Sequence, residues 1–170
     1  ALKHVDICEH NALEAVKTNV LGTENVIQAA LAQGVRRVSF SSTDKAVEPI
    51  NVYGNTKAIG ERLVLSQNRA DLSTKFAVYR WANVVGSRGS VIHAFAKSLR
   101  DERKIRITHP DMTRFWIKLE DAVSFMLQDR IFSDGPLIPS MKAASVVRFA
   151  AAVARLAGVS DYDIEITGIR

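Results

Sequence analysis

The apolar positions of this chain change period several times along its length. Val16, Val20, Ile27 and Leu31 recur at helical spacing until Gly34, a residue suited to ending a helix. Asn11 followed by Glu14 predicts the start of that helix, in the manner of a capping box, with a loop before it. Residues 37–42 predict a short strand that runs into the polar end Ser41-Ser42-Thr43-Asp44. After a turn at Pro49, residues 52–68 predict a second helix, and 75–81 a strand rich in apolar and aromatic side chains. Residues 83–90, which hold Gly86 and Gly89, predict a loop feeding a helix over about 91–103. Further strands are expected at 105–108, 114–118, 137–139 and 162–167, and helices at 120–130 and 144–157.

Strands separated by amphipathic helices predict βαβ units, hence an α/β fold with a mostly parallel sheet covered on both faces. The composition fits: 170 residues, 47% apolar and 24% charged, exclude a disordered, collagen-like or disulfide-scaffold chain. The single Cys8 excludes an internal disulfide and suits a reducing, cytoplasmic setting. No apolar run approaches the roughly 20 residues of a spanning helix, the stretch 143–157 being interrupted by Arg148 and Arg155. The net charge of +5 favours phosphate-bearing ligands, yet only Arg36-Arg37 and residues 100–106 concentrate it, which argues for a solvated face over a nucleic-acid groove. His4, His10, His93 and His109 show no metal-ligand spacing with Cys8 or with acidic residues.

The chemistry centres on Tyr53-Gly-Asn-Thr-Lys57. Four residues apart on a helix, the phenol and the ammonium project from one face, and a fixed cation there would lower the Tyr53 pKa toward proton exchange with a hydroxyl. The same spacing alone also fits a surface tyrosine packed along a lysine stem. A strand ending in Ser41-Ser42-Thr43-Asp44-Lys45 lies eight residues before Tyr53. Ligands of open parallel sheets bind beyond the carboxyl ends of strands, so this tip and the Tyr53 helix should face one pocket.

Here the chain resembles the extended short-chain dehydrogenase/reductase superfamily, in particular its nucleotide-sugar 4,6-dehydratases of the capsule and flagellin-glycosylation type. The resemblance runs through Lys3-His4-Val5, Glu14-Ala-Val-Lys-Thr-Asn-Val-Leu-Gly-Thr23, Ser42-Thr-Asp-Lys-Ala46, Pro49-Ile-Asn-Val-Tyr53, Asn83-Val-Val-Gly-Ser-Arg-Gly-Ser90 and Asp111-Met-Thr-Arg-Phe115. Pro139-Ser-Met-Lys142 and Thr167-Gly-Ile-Arg170 continue it, so it covers nearly the whole chain in order. It implies the second half of a Rossmann-like doubly wound parallel sheet with a small C-terminal α/β substrate-binding portion. The implied division is 1–85 for the Rossmann part and 86–170 for the substrate part, interleaved with it. Both ends look cut, no GxGxxG occurs, and the half carrying that turn is expected to precede Ala1; the piece alone is then expected to be inactive.

What the resemblance implies for the reaction is dehydration of a UDP-N-acetylhexosamine, with NAD or NADP, to a 4-keto-6-deoxy sugar nucleotide. Tyr53, assisted by Lys57, would be the base on the C4 hydroxyl and Thr43 would hydrogen-bond the C4 oxygen. Lys45 would remove the C5 proton, and Asp44 would protonate the departing C6 hydroxyl. Tyr53, Lys57 and Asn19 would serve the cofactor side. Asn83, Ser87, Arg88, Ser90 and Arg114 would bind the substrate, with Ser87, Arg88 and Ser90 on the diphosphate at a helix N-terminus. The alternatives are a C4 epimerase of the same superfamily, which needs no Asp44–Lys45 pair, and a non-catalytic binding or assembly module. A homo-oligomer through the 13–31 and 52–68 helices is also implied. The sequence departs from the family pattern at Glu48 (Asn expected), at Trp81-Ala82 (an aromatic-Gly pair expected) and at His93 (Pro expected).

Overall fold

In the computed structural model, which describes residues 1–68, 73–87, 90–128 and 133–168, the chain becomes helical earlier than its pattern predicts. α1 (Val5–His10) occupies the expected loop, and α2 (Ala12–Val16) follows Asn11. The capping box does not form because both of its members have other partners. The Asn11 amide donates to the Ile7 carbonyl at 2.9 Å, and the Glu14 carboxylate pairs with Lys17. A π-helical turn, Lys17–Leu21, leads into α3 (Gly22–Ala32), and Gly34 at φ +58° ends the tract as expected.

β1 (Arg37–Thr43), α4 (Val52–Leu65) and β2 (Lys75–Trp81) form a parallel βαβ unit. The strands pair in register from Arg37↔Lys75 to Thr43↔Trp81, and Leu137 bridges Tyr79 in parallel on β2. Side chains alternate across β2. Phe76 and Val78 enter a core with Ile27 and Val64 from α3 and α4, whereas Tyr79 and Trp81 stack on each other and meet Phe125 edge-on. This strand is therefore buried on both faces, as its apolar run required.

The chain gathers into two compact units, Ala1–Trp81 with Ser124–Pro139, and Ala82–Val123 with Ser140–Arg170. The second contains β3 (Asn83–Val84), α5 (Val91–Glu102), β4 (Lys104–Ile107) and β5 (Thr113–Ile117), then the start of α6 (Leu119–Leu127), and β6 (Lys142–Ser145), α7 (Val146–Leu156) and β7 (Asp163–Ile166). β3 lies within the predicted loop, and β6 was not predicted at all. β3 and β5 pair in parallel, β5 and β6 antiparallel, and β4 and β7 in parallel. Phe95 and Leu99 of α5, Ile105 and Ile107 of β4, and Val146, Ala150, Val153 and Ala154 at the start and along α7 form the core. Among the described residues no helix is long and apolar enough to cross a membrane.

Candidate active site

The start of α4 is held at three points. Asn51 Oδ1 accepts the Gly54 N–H at 2.7 Å, and the Glu9 carboxylate accepts the Val52 N–H at 2.6 Å. The third is a close approach: a Cβ at residue 54 would lie 2.2 Å from the Lys45 carbonyl oxygen and 3.0 Å from Pro49 Cβ. Only glycine lets the helix start press on the short 3₁₀ turn Asp44–Ala46 that ends β1. Tyr53, the residue before Gly54, is thereby brought to the tip of the strand.

At that tip the Thr43 hydroxyl lies close enough to the Tyr53 phenol to pull its pKa down. Its hydroxyl also donates to Asp44 Oδ1 at 3.0 Å and accepts the Lys45 N–H at 3.3 Å. Lys45 Nζ pairs with the same Asp44 oxygen at 3.1 Å, and both side chains are 41% exposed. Thr43, Asp44, Lys45 and Tyr53 thus meet around one hydroxyl.

Lys57 lies one helical turn further along α4 and is buried. Its ammonium donates to the Ser41 carbonyl at 2.7 Å and sits 3.8 Å from the centre of the Phe40 ring. Desolvation lowers its pKa to about 8, against the opposing charge of Glu61. Two of its three N–H donors have no hydrogen-bond partner among the described residues. Lys57 also borders a cavity of about 330 Å³ that runs beside Ser39 and Ser41 to Thr18 and Gly22. Tyr53, Thr43, Asp44 and Lys45 do not line that cavity.

The expectation that Lys57 lowers the Tyr53 pKa is corrected here. Burial pushes the phenol up, the Thr43 hydrogen bond pulls it down, and the charges of Asp44 and Cys8 add to the rise; Lys57 is not among the causes. The physical reason is that the ammonium is turned to the β1 backbone and the Phe40 face. Asn19 lies in the π-helical turn and is buried, with its amide fully engaged. It donates to Thr56 Oγ1 at 3.0 Å and to the Leu2 carbonyl at 2.9 Å, and accepts the Leu2 N–H at 2.8 Å. Its direct contact is therefore with the residue preceding Lys57.

The predicted substrate residues belong to the second unit. Asn83 in β3 donates to the Phe115 carbonyl at 3.0 Å. Ser87 closes a turn, its carbonyl accepting the Ser90 N–H at 2.9 Å. Ser90 is the N-cap of α5, yet its side chain caps nothing, and its buried hydroxyl has no partner among the described residues. Arg114 on β5 is exposed and donates to the neighbouring Thr113 carbonyl at 3.0 Å. Arg88 lies outside the described residues.

Compared with known proteins, residues 1–170 match the model of a family described as polysaccharide biosynthesis protein. The chain belongs to this family. The UDP-N-acetylglucosamine 4,6-dehydratase (inverting) of Campylobacter jejuni strain 81-176 is 43% identical over 154 residues, covering 86% of this chain and 46% of that protein. The UDP-glucose 4-epimerase of Rickettsia bellii strain OSU 85-389 is 45% identical over 129 residues, covering 75% and 38%. Among solved structures, that of Pen from Bacillus thuringiensis superposes with a TM-score of 0.89 at 37% identity, covering 99% of this chain and 55% of that one. The fold of this family member is thus the Rossmann-like α/β fold. The chain spans about half the length of the curated relatives it matches.

Two features of this family member escaped the sequence reading. Glu61 and Arg80, with Ser42, form a buried network beside Lys57. The signal was the four-residue step from Tyr53 to Lys57, which continues to Glu61. The second is the backbone at Glu48, a position whose departure from the family pattern is plain in the sequence but whose left-handed φ of +42° is not. Asparagine tolerates that left-handed conformation better than glutamate, which accounts for the Asn expected there.

Proposed function

We propose that the whole protein is a nicotinamide-dependent 4,6-dehydratase of a UDP-N-acetylhexosamine, with residues 1–85 serving the dinucleotide-binding part and 86–170 the substrate part. The observation that carries this reading is the meeting of Thr43, Tyr53, Asp44 and Lys45 around one hydroxyl. A bound NAD or NADP supplies the hydride acceptor at C4 and the donor at C6. The donor set suits such a ribose-bearing group: two Lys57 N–H donors have no hydrogen-bond partner among the described residues, and Asn19, through Thr56, steadies the helix residue beside it.

Tyr53 takes the C4 hydroxyl proton while Thr43 hydrogen-bonds the C4 oxygen. With C4 oxidised, the C5 proton is acidic; Lys45 removes it and returns a proton to C5 once C6 has taken hydride. Asp44 as the acid gives a proton to the C6 hydroxyl, which leaves as water. The Asp44–Lys45 couple must separate from its mutual contact to do this, and its 41% exposure leaves it accessible to a sugar. Asn83, Ser87, Ser90 and Arg114, with Arg88, bind the UDP moiety; support comes from the N-terminus of α5, which has no side-chain cap, and from the Ser90 hydroxyl there, which has no partner among the described residues. Exposed Leu13, Val16, Leu21 and Val26 along the first helical tract, with Ile59 on α4, support a homo-oligomer through these helices.

The test is proton NMR of the product formed by the whole protein from UDP-N-acetylglucosamine. A 4-keto sugar with a C6 methyl signal is expected. A second reading, C4 epimerisation, is favoured by the 45% identity to the Rickettsia protein named an epimerase. It predicts an intact C6 hydroxymethyl group and an inverted C4 hydroxyl, and that product would replace the dehydratase reading.

A further inference from the structure

α4 carries a third reactive group at the spacing of the first two: Glu61 follows Lys57 by four residues, as Lys57 follows Tyr53. Its side chain is buried, and both carboxylate oxygens are taken. Ser42 donates to Oε1 at 2.5 Å, Arg80 Nε to the same oxygen at 3.0 Å, and Arg80 Nη2 to Oε2 at 2.5 Å. One carboxylate therefore ties α4 to β1 and to β2. Ser42 stands between Ser41, whose carbonyl takes Lys57, and Thr43, which neighbours Tyr53. The strand residues that meet both members of the pair are thus fixed in register by the residue that Glu61 holds.

Few charges face Lys57. β1 presents the Phe40 ring and the Ser41 carbonyl, α4 presents Glu61, and β2 presents Arg80, which is paired with Glu61. The π-helical turn and α3 border the adjoining cavity with uncharged Thr18, Gly22 and Thr23, and Ala1 also lines it. Tyr53 is one turn away on the same helix.

We propose that Glu61 is a positioning residue for the Tyr53–Lys57 pair: clamped by Ser42 and Arg80, it seats α4 on the tip of β1 and keeps a negative charge one turn from the Lys57 ammonium. Its catalytic consequence rests on the dehydratase reading, whereas the coupling itself is measurable without substrate. The guanidinium sets the strength of that charge, since its paired N–H donors partly neutralise the carboxylate.

The experiment is a carbon NMR titration of the full chain labelled at lysine Cε and glutamate Cδ, with Lys57→Met identifying the lysine signal and Glu61→Gln the carboxyl signal. The unaltered chain is expected to titrate at Lys57 near pH 8. Glu61→Gln preserves an acceptor for Ser42 but removes the charge, and moves the midpoint down by about one pH unit. Arg80→Met leaves the carboxylate uncompensated and moves it up. A purely structural role predicts the opposite for Glu61→Gln, because loosened packing admits water and carries Lys57 toward 10.5. A rise or no change in that variant overturns the proposal. In the unaltered chain, the Glu61 carboxyl carbon should show an inflection at the Lys57 midpoint, and its absence overturns the proposal even where Glu61→Gln does not fold. Should the whole protein lack dehydratase activity while these shifts appear, the functional reading falls and the coupling stands.

Discussion

Thr43 does at the scale of one side chain what the site needs as a whole: a single hydroxyl donates to a carboxylate, accepts a backbone amide and lowers the pKa of a phenol. Lys45, beyond it, is the proposed C5 base. Lys45→Ala in the whole protein should retain sugar-nucleotide binding yet lose solvent deuterium incorporation at C5 by at least about 100-fold, as removal of a general base does; unreduced exchange would remove Lys45 from the mechanism. Glu48 illustrates a cost set by backbone shape. With φ at +42° on an exposed residue, Glu48→Asn should stabilise the chain by about 0.5–1 kcal/mol in urea unfolding. The Tyr53–Lys57 and Thr43-Asp44-Lys45 groupings were readable in the sequence because helical spacing and a strand end define them locally. The acceptor of Lys57 was not, since it is a main-chain carbonyl 16 residues earlier. Main-chain partners leave no mark in residue type.

Among the elements, α4 shows how far local pattern reaches. Its apolar spacing and the strand-like stretch after it gave both elements to within a few residues, and β2 to the residue. β6 was missed because Lys-Ala-Ala-Ser carries no alternation; its pairing comes from β5 alone. The π-helical turn was equally hidden, for it is defined by hydrogen-bond register and not by composition. Packing also reverses a local rule on α4. Helix propensity alone makes Gly→Ala favourable by about 1 kcal/mol. At residue 54 the new Cβ would meet a main-chain carbonyl oxygen at 2.2 Å, whereas at residue 60 it would meet Cζ at the far end of the Phe40 side chain at 2.7 Å. Gly54→Ala should therefore destabilise by about 3 kcal/mol, more than Gly60→Ala, when both are unfolded in urea. Equal losses would show that the contact with the Lys45 carbonyl yields easily.

Over the whole molecule, Lys57 gives stability a pH dependence of known sign. Its pKa is about 8 folded against 10.5 for the ordinary side chain, so between these values the unfolded chain binds more protons and stability rises with pH. The gain is about 1.4 kcal/mol per pH unit at most. Cys8 and Tyr53, both pushed up by burial, act oppositely, their contributions being lost as pH climbs beyond 9.0 and 10.0. The rise should thus be clearest from pH 8 to 9, and denaturant midpoints at pH 7, 8 and 9 should show it. Lys57→Met should flatten the trend; the same slope in that variant would mean another group causes it. Finally, the chain passes from one compact unit to the other three times, after Trp81, Val123 and Pro139. No single scission of the gene yields the first unit whole, for a piece ending near residue 85 forfeits Phe125 from its aromatic stack and both main-chain bonds that Leu137 makes to β2, at 2.8 and 2.9 Å. Splicing the distant strip 124–139 back onto such a piece is the minimum graft that an engineer wanting that half by itself would have to make.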